Sequence, residues 1–218
     1  MSEATVYQGQ FGEFRIDKSD RLSVIIYRAG LMVAAVCFGI ATFLAIKFPT
    51  DTTVLNAITF LYATFCIGLA VSLATIHIYL APLHRLLQVF LGIGAVSSVV
   101  IGLQSSEPLA LYVYNHPLTL FGVGFTFAAL TGIYFKEGMC FNRLETKLLT
   151  PIVPALLLGH LFGVLPLVVE QTLLSIWAIL FMVFAVRKLV QAIDPDIGDK
   201  SVFAYLKAQK KGNKLQST

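Results

Sequence analysis

Ionisable side chains that could carry out chemistry collect in two short stretches of an otherwise apolar chain. One stretch runs from Lys136 to Lys147 and contributes two carboxylates, a thiol and three cations, while the other contributes an adjacent imidazole and guanidinium. Together they give a candidate polar cluster on one face of the protein: His84, Arg85, Glu137, Cys140, Arg143 and Glu145. These residue types allow the hypothesis of a membrane enzyme, although an unreactive loop thiol is the simpler interpretation of Cys140.

Three further polar residues fall within or beside the apolar stretches: His77, Gln88 and His160. At a rise of 1.5 Å per helical residue, the two histidines differ in depth by about 13 Å, which is too far to clamp one haem. Each histidine could ligate a single chlorophyll or hydrogen-bond a neighbouring helix. We favour the hydrogen bond, and any cofactor is therefore unknown. No H-x-x-x-H or H-E-x-x-H spacing occurs, and we predict no metal site.

The sequence motifs of soluble enzymes and of nucleic-acid-binding proteins are missing. The chain has no G-x-S-x-G, no P-loop, no G-x-G-x-x-G at a strand–helix turn and no patch that mixes basic and aromatic residues. We therefore predict neither a catalytic residue set nor a nucleic-acid partner.

The composition of the chain indicates which kind of secondary structure positions these polar residues. The chain of 218 residues is 57% hydrophobic and 13% charged, whereas a water-soluble domain averages roughly 45–50% apolar and about 25% charged residues. Such a composition excludes an ordinary soluble domain and a disordered chain. Three cysteines are also too few for a secreted disulfide scaffold. The solvent of this chain is a lipid bilayer.

Apolar runs long enough to cross the bilayer as helices recur along the chain, since a crossing needs about 20 mainly apolar residues. We predict an all-α bundle of six transmembrane helices, at residues 29–46, 57–80, 86–103, 117–135, 148–165 and 171–186. The runs are continuous and too long for the alternating strands of a membrane barrel. No Asp, Glu, Lys or Arg falls well inside them, and Arg28 can extend back from the first helix to the interface.

The basic residues predict that both termini lie in the cytoplasm. With six crossings, fifteen of the sixteen Lys and Arg residues fall on one side and Lys47 alone falls on the other. Lys and Arg remain on the cytoplasmic side in short loops, so this side is the inner one.

Three segments follow from this topology: a cytoplasmic amino-terminal segment at residues 1–26, a transmembrane domain at 27–190 and a basic cytoplasmic tail at 191–218. Residues 7–17 favour a short hairpin or an extended arm. Residues 136–147 form the longest inner loop, and residues 201–211 favour a short helix. Its lysines could hold that helix to anionic lipid headgroups, or the tail could be fully solvated; the cations concerned are Lys207, Lys210, Lys211 and Lys214.

Small residues at a spacing of four recur in four of the predicted helices, for example Gly94, Ser98 and Gly102 in the third. Helices in lipid associate by close packing at such positions, so we interpret these stripes as contacts within the bundle. An alternative makes Gly159 and Gly163 the face for a partner helix.

Two sequence segments carry a family resemblance. The chain resembles an uncharacterised family of multi-pass integral membrane proteins of cyanobacteria and plastids. The resemblance lies in the segment Phe135-Lys136-Glu137-Gly138-Met139-Cys140-Phe141 and continues through Glu145 to Pro151-Ile152-Val153-Pro154. The resemblance implies an oxygenic phototroph and either the plasma (inner) membrane or the thylakoid membrane. The family has no established activity and so lends no catalytic residues.

We therefore expect a non-enzymatic integral membrane protein, with the lipid bilayer and other membrane proteins as its partners. The leading hypothesis is an assembly or scaffold factor for photosynthetic membrane complexes, because catalytic motifs and core carboxylates are missing. The alternative is a small-solute carrier or channel. That alternative predicts a water-filled path lined by Gln88, Ser97, Ser98, Thr126, Thr131 and His160.

Overall fold

The computed structural model describes the backbone of residues 6–216 and the side chains of residues 6–206, 208 and 209. The described chain is mostly helical, as the sequence predicts, and begins with one β-hairpin. The elements in order are β1 (Val6–Gly9), β2 (Gly12–Arg15), α1 (Lys18–Lys47), α2 (Thr52–Thr75), α3 (Ala81–Gln104), α4 (Leu109–Asn115), a 3-10 turn (Pro117–Thr119), α5 (Leu120–Phe141), α6 (Leu144–Leu161), α7 (Leu167–Val190), α8 (Asp194–Ile197) and α9 (Lys200–Gln216). The four tail lysines discussed above lie outside the described side chains.

Five helical segments within residues 6–216 are long and apolar enough to cross a membrane: α1, α2, α3, the 3-10 turn continued by α5, and α7. A helix satisfies every backbone amide within its own segment, which is what a hydrocarbon environment requires. The helix α6 is the exception. It has 18 residues, begins with a charged turn and contains Pro151 and Pro154.

Six helices nevertheless pack as a closed ring. Each of α1, α2, α3, α5, α6 and α7 packs against two others, in the order α1, α2, α3, α5, α6, α7 and back to α1. The helix α6 completes the ring between α5 and α7. The short helix α4 packs mainly against α2, at the end of the bundle opposite the chain termini.

Aromatic side chains fill the middle of the ring. Phe38 of α1 contacts Trp177 of α7 with ring centroids 4.4 Å apart, and Phe127 of α5 contacts the same indole edge-on at 5.2 Å. The indole of Trp177 also donates a hydrogen bond of 3.2 Å to the Tyr134 hydroxyl, which satisfies both buried groups. The centre of the bundle is therefore tightly packed.

Three predicted boundaries are wrong. The fifth span was expected to reach Leu165, but α6 ends at Leu161 and residues 162–166 are not helical. The second span was expected to reach Leu80, but α2 ends at Thr75 and residues 76–80 are not helical. The predicted loop at residues 136–147 is a tight turn, because α5 continues to Phe141 and α6 begins at Leu144. The turn depends on Asn142, which adopts a left-handed conformation with φ 51° and ends α5.

Small residues allow the helices of this ring to approach closely. A Cβ atom on Gly68 of α2 would lie 2.7 Å from the Gly30 carbonyl oxygen of α1, so neither position has space for a side chain. The interpretation of Gly159 and Gly163 as a face for a partner helix is wrong. Gly163 lies beyond the end of α6 with φ 63°, and a Cβ on Gly159 would collide with Leu165 of the same chain.

The first and last described segments of the chain fold together over one end of the ring. We call β1, β2, α8 and α9 the terminal cap, and the end of the bundle beneath it the terminal end. The Gln10 amide donates a hydrogen bond of 2.7 Å to the Asp199 carboxylate, and the Phe11 amide donates one of 3.0 Å to the Ser201 hydroxyl. A small apolar core of Ile16, Val24 and Ile197 lies beneath these bonds.

Two glycines of α3 provide a matched test of close packing. A Cβ on Gly94 would lie 2.4 Å from the Thr126 backbone nitrogen of α5, whereas a Cβ on Gly92 meets nothing within 4 Å. We expect Gly94→Ala to lower the free energy of unfolding by about 1–3 kcal/mol through overpacking. Gly92→Ala should leave it unchanged or slightly raised, since alanine favours helix. Unfolding in mixed detergent micelles measures both, and equal losses would contradict this account.

Candidate functional site

Four charged side chains are buried together at the terminal end of the bundle. We call Arg28, Glu137, Lys188 and Asp196 the buried charge network. Lys188 of α7 lies at its centre and is fully buried. Its Nζ atom is 2.6 Å from Glu137 Oε2 of α5 and also forms an ion pair with Asp196 Oδ1. A buried ammonium group is tolerated only when such partners surround it.

Arg28 of α1 binds the segment that follows α7. Its Nε and Nη2 atoms donate hydrogen bonds of 2.9 and 2.6 Å to Asp196 Oδ2. Its remaining donors reach the backbone carbonyls of Gln191 and Ala192 at 2.6 and 2.7 Å. Only 6% of Arg28 is exposed, so protein groups surround the side chain that is expected to extend back toward the interface. The guanidinium is turned inward because Asp196 and the two carbonyls satisfy it there.

The carboxylate of Glu137 is the second centre of the network. Its Oε1 atom accepts hydrogen bonds from the Tyr27 hydroxyl at 3.2 Å and from Lys136 Nζ at 2.8 Å, while its Oε2 atom faces Lys188. The four-residue network thus contains two positive and two negative groups. Each charge has a partner of opposite sign, and the network connects α1, α5, α7 and α8.

Two of the residues predicted from the sequence, Arg143 and Glu145, surround the network with further hydrogen bonds and ion pairs. Arg143 donates a hydrogen bond of 2.6 Å to the Gln191 side-chain oxygen, and the Gln191 amide in turn donates one of 3.1 Å to Asp196. Glu145 accepts a hydrogen bond of 2.9 Å from Arg187 and lies 3.8 Å from the Arg143 guanidinium. Glu137, Arg143 and Glu145 therefore do come together.

The other three members of the predicted polar cluster lie elsewhere. The His84 imidazole lies 2.5 Å from the Leu73 carbonyl oxygen, which Gln88 also contacts at 3.3 Å. These two side chains cap the end of α2. Arg85 and Cys140 are exposed. The structure does not assemble the six residues as one cluster, because helix rotation directs these three away from Glu137.

Three members of the network and two of their hydrogen-bond partners were not among the candidate site residues: Arg28, Lys188 and Asp196, with Tyr27 and Gln191. Two signals were available in the sequence. Arg28 has apolar residues on both sides, and Lys188 follows Arg187 at the end of an apolar run. Arg187 and Lys188 count equally toward orientation, yet of these two only Lys188 faces inward.

His77 belongs to the non-helical segment between α2 and α3. Its Nδ1 atom is buried and has no hydrogen-bond partner among the described residues. Burial lowers the pKa of His77, because the charged imidazolium is desolvated there.

A second polar group lies at the opposite end of the bundle. His160 Nδ1 is 2.8 Å from Glu170 Oε1 of α7, and His160 Nε2 is 3.1 Å from the Tyr114 carbonyl of α4. The Tyr114 hydroxyl donates a hydrogen bond of 3.1 Å to Glu170. Burial and this carboxylate raise the pKa of Tyr114. His160 thus connects three elements at the end of α6.

The six polar residues proposed to line a path do not lie on one. Tyr62 binds Ser98 and Thr126 at 2.8 and 2.9 Å within the packed interior. Thr131 donates to Phe127 of its own helix, and Gln88 is an exposed residue. Among the described residues, no three His, Cys, Asp or Glu side chains are placed to hold a metal ion.

Comparison with known proteins agrees with a membrane location. Residues 71–205 match the family described as "Uncharacterized integral membrane protein (DUF2301)". The chain belongs to this family of integral membrane proteins. An uncharacterised protein of Haemophilus influenzae is 29% identical over 189 residues, which cover 86% of this chain and 94% of the relative. No solved structure matches the chain.

The region shared with the family extends from the end of α2 into α9. It contains Glu137, Lys188 and Asp196, and therefore three of the four charges of the network. The fourth charge, Arg28, comes from α1, which precedes the matched region.

Adjacent cations on α7 test the network. We expect Lys188→Ala to lower the free energy of unfolding by about 3–5 kcal/mol, because it leaves the carboxylates of Glu137 and Asp196 without their buried partner. Arg187→Ala should cost only about 1 kcal/mol, because that side chain is half exposed and its partner Glu145 keeps Arg143 beside it. Unfolding of the two variants in mixed micelles measures the difference.

A double variant separates lost charge pairing from lost packing. Lys188→Met combined with Glu137→Gln removes one charge of each sign and keeps similar volumes. We expect it to be more stable than Lys188→Met alone. If it were no more stable than the single variant, the pairing would not be the source of the stability.

Proposed function

We propose that this chain is a non-enzymatic membrane protein with six spans and both termini in the cytoplasm, which holds its terminal cap as a docking platform for other membrane proteins. The single observation that carries the proposal is the buried charge network. It fixes the cap to the bundle through Arg28 and Asp196, whereas the same residues offer no open site for a substrate.

The geometry of α6 supports a sixth crossing. Its 18 residues give a length of about 27 Å, close to the roughly 30 Å of bilayer hydrocarbon. The ring of six packed helices has its charged turn, Arg143 to Lys147, at the terminal end and His160 at the opposite end. An even number of crossings also agrees with the hydrogen bonds that join the amino-terminal hairpin to residues 199 and 201.

The distribution of cations supports the cytoplasmic assignment. With six crossings, Lys47 is the one Lys or Arg on the far side, against fifteen on the side of the cap. The division into segments 1–26, 27–190 and 191–218 remains part of this proposal. In it, the first and last segments combine into one cap.

Reporter fusions test the topology. Alkaline phosphatase fused after Gly163 should be active, because that turn lies outside, whereas a fluorescent protein fused after Gln209 should fluoresce in the cytoplasm. Fusion after Asn142 serves as the inner control. Inactive phosphatase after Gly163, together with a fusion after Gln209 that does not fluoresce, would contradict the six-span topology and would indicate that α6 does not cross.

The surface of the terminal cap supports a docking role. Phe11 and Tyr205 stack with ring centroids 4.0 Å apart, yet 45% and 40% of these residues remain exposed. Val6 and Leu206 add exposed apolar area on the same cap. Apolar side chains that gather in water are typical of a protein contact surface. The network keeps this surface in a fixed orientation, which lowers the entropic cost of binding.

We place the protein in the plasma membrane. The relative from Haemophilus influenzae supports that assignment. The thylakoid membrane and photosynthetic complexes are the narrower alternatives that the cyanobacterial and plastid resemblance implies. The small-solute carrier is the less supported function, since Ser98 and Thr126 are bonded to Tyr62 in the packed interior and Gln88 is exposed elsewhere.

Co-purification in mild detergent tests the docking role. We expect partner proteins to accompany the wild-type chain and to be lost from a Phe11→Ser/Tyr205→Ser variant. Phe48→Ser is the matched control, since Phe48 is 46% exposed beyond the opposite end of α1. A partner retained equally by all three proteins, or a wild-type monomer without any partner, would overturn the proposal.

A further inference from the structure

An apolar cavity of about 220 Å³ lies in the half of the bundle that is farther from the termini. We call it the apolar chamber. Helices α1, α2, α4, α5 and α7 all contribute to its wall. Small residues create the space, since Ala41 and Ala45 line it on α1 and Ala110 lines it on α4.

The floor of the apolar chamber is aromatic. Phe38, Phe65 and Phe127 line it, with ring centroids 6.0 to 6.4 Å apart. Trp177 lies behind this floor, in contact with Phe38 and Phe127. It is the one tryptophan of the chain and is only 1% exposed. The chamber therefore ends inside the protein and does not continue through it.

Three hydroxyl groups line the wall, those of Thr42, Thr59 and Tyr62, and the protein itself binds the last two. The Tyr62 hydroxyl is bonded to Ser98 and Thr126, and the Thr59 hydroxyl donates to the Leu55 carbonyl at 3.4 Å. A water molecule needs about two to four polar partners to remain in a cavity, and cavities lined by apolar groups stay dry and take apolar ligands. A polar solute is therefore a poor occupant.

The depth of the apolar chamber matches one leaflet of a bilayer. Phe38 lies nine residues before the end of α1, which places the floor roughly 14 Å below that end. Half of the hydrocarbon thickness is about 15 Å. Among the helices that line the chamber, α1 packs against α2 and α7, and α4 packs against α2. The medium around it consists of acyl chains.

We propose that the apolar chamber is a binding site for one acyl chain of a membrane lipid from the leaflet opposite the terminal cap. The chain enters between α4 and α1 and extends to the Phe38–Phe127 floor. It gains dispersion contacts with the aromatic rings and loses no hydration, because it comes from hydrocarbon. This site is independent of the docking role proposed for the cap.

Trp177 is a built-in reporter for this site. Bromine on an acyl chain quenches tryptophan only at short range, and burial separates Trp177 from bulk lipid. In vesicles of phosphatidylcholine brominated in the distal half of the chains, we expect wild-type protein to lose most of its emission. Vesicles of unbrominated phosphatidylcholine give the reference intensity.

Filling the apolar chamber should abolish the quenching. Ala110→Phe and Ala41→Phe each place a ring in the chamber from a different helix, so one variant remains informative if the other does not fold. Ala155→Phe is the matched control, since Ala155 is an exposed residue of α6. Emission spectra in unbrominated vesicles verify folding.

Two results would overturn the acyl-chain site. One is wild-type emission that brominated lipid leaves unchanged. The other is equal quenching of the wild type, the chamber-filling variants and Ala155→Phe, which would mean that bromine reaches Trp177 by another route. Loss of quenching in the chamber variants alone supports the site.

Discussion

Two positive and two negative side chains, buried where the bundle meets its cap, hold four separate parts of this chain to one another. Arg28, Glu137, Lys188 and Asp196 come from α1, α5, α7 and α8. In a medium of low polarity, a charge that loses its partner costs far more than a lost contact in water. The four parts therefore separate together or not at all, and the position of the cap depends on this requirement.

The bilayer explains how much of the fold could be predicted. Continuous apolar runs identify the membrane helices, since hydropathy reports what a helix exposes to lipid. Hydropathy does not show which charged side chains pair inside the protein. For this reason α5 was expected to end at Phe135, before the first charged residue. Lys136 and Glu137 appear as loop residues, yet they continue the helix because Tyr27 and Lys188 satisfy the carboxylate. The left-handed Asn142 was likewise missed, since the polar run around it suggests a longer loop.

The candidate site was predictable only in part, for a geometric reason. Glu137, Arg143 and Glu145 come together because a tight turn joins the helices that carry them. His84 and Cys140 do not join them, since their directions depend on how each helix is rotated in the ring. Small residues such as Gly94 constrain this rotation, because a Cβ at that position would collide with Thr126. The two halves of the bundle consequently differ, with paired charges beneath the cap and an apolar cavity at the other end.

The network also has a consequence for biogenesis. Arg28 is synthesised early, whereas its partner Asp196 leaves the ribosome after all six helices of the ring. During insertion the guanidinium must therefore stay at the aqueous interface or accept a temporary partner. Glu137 is likewise synthesised before its partner Lys188. The terminal end consequently closes as the last step of folding, and a nascent chain that stops before residue 196 keeps an unneutralised cation at its membrane boundary.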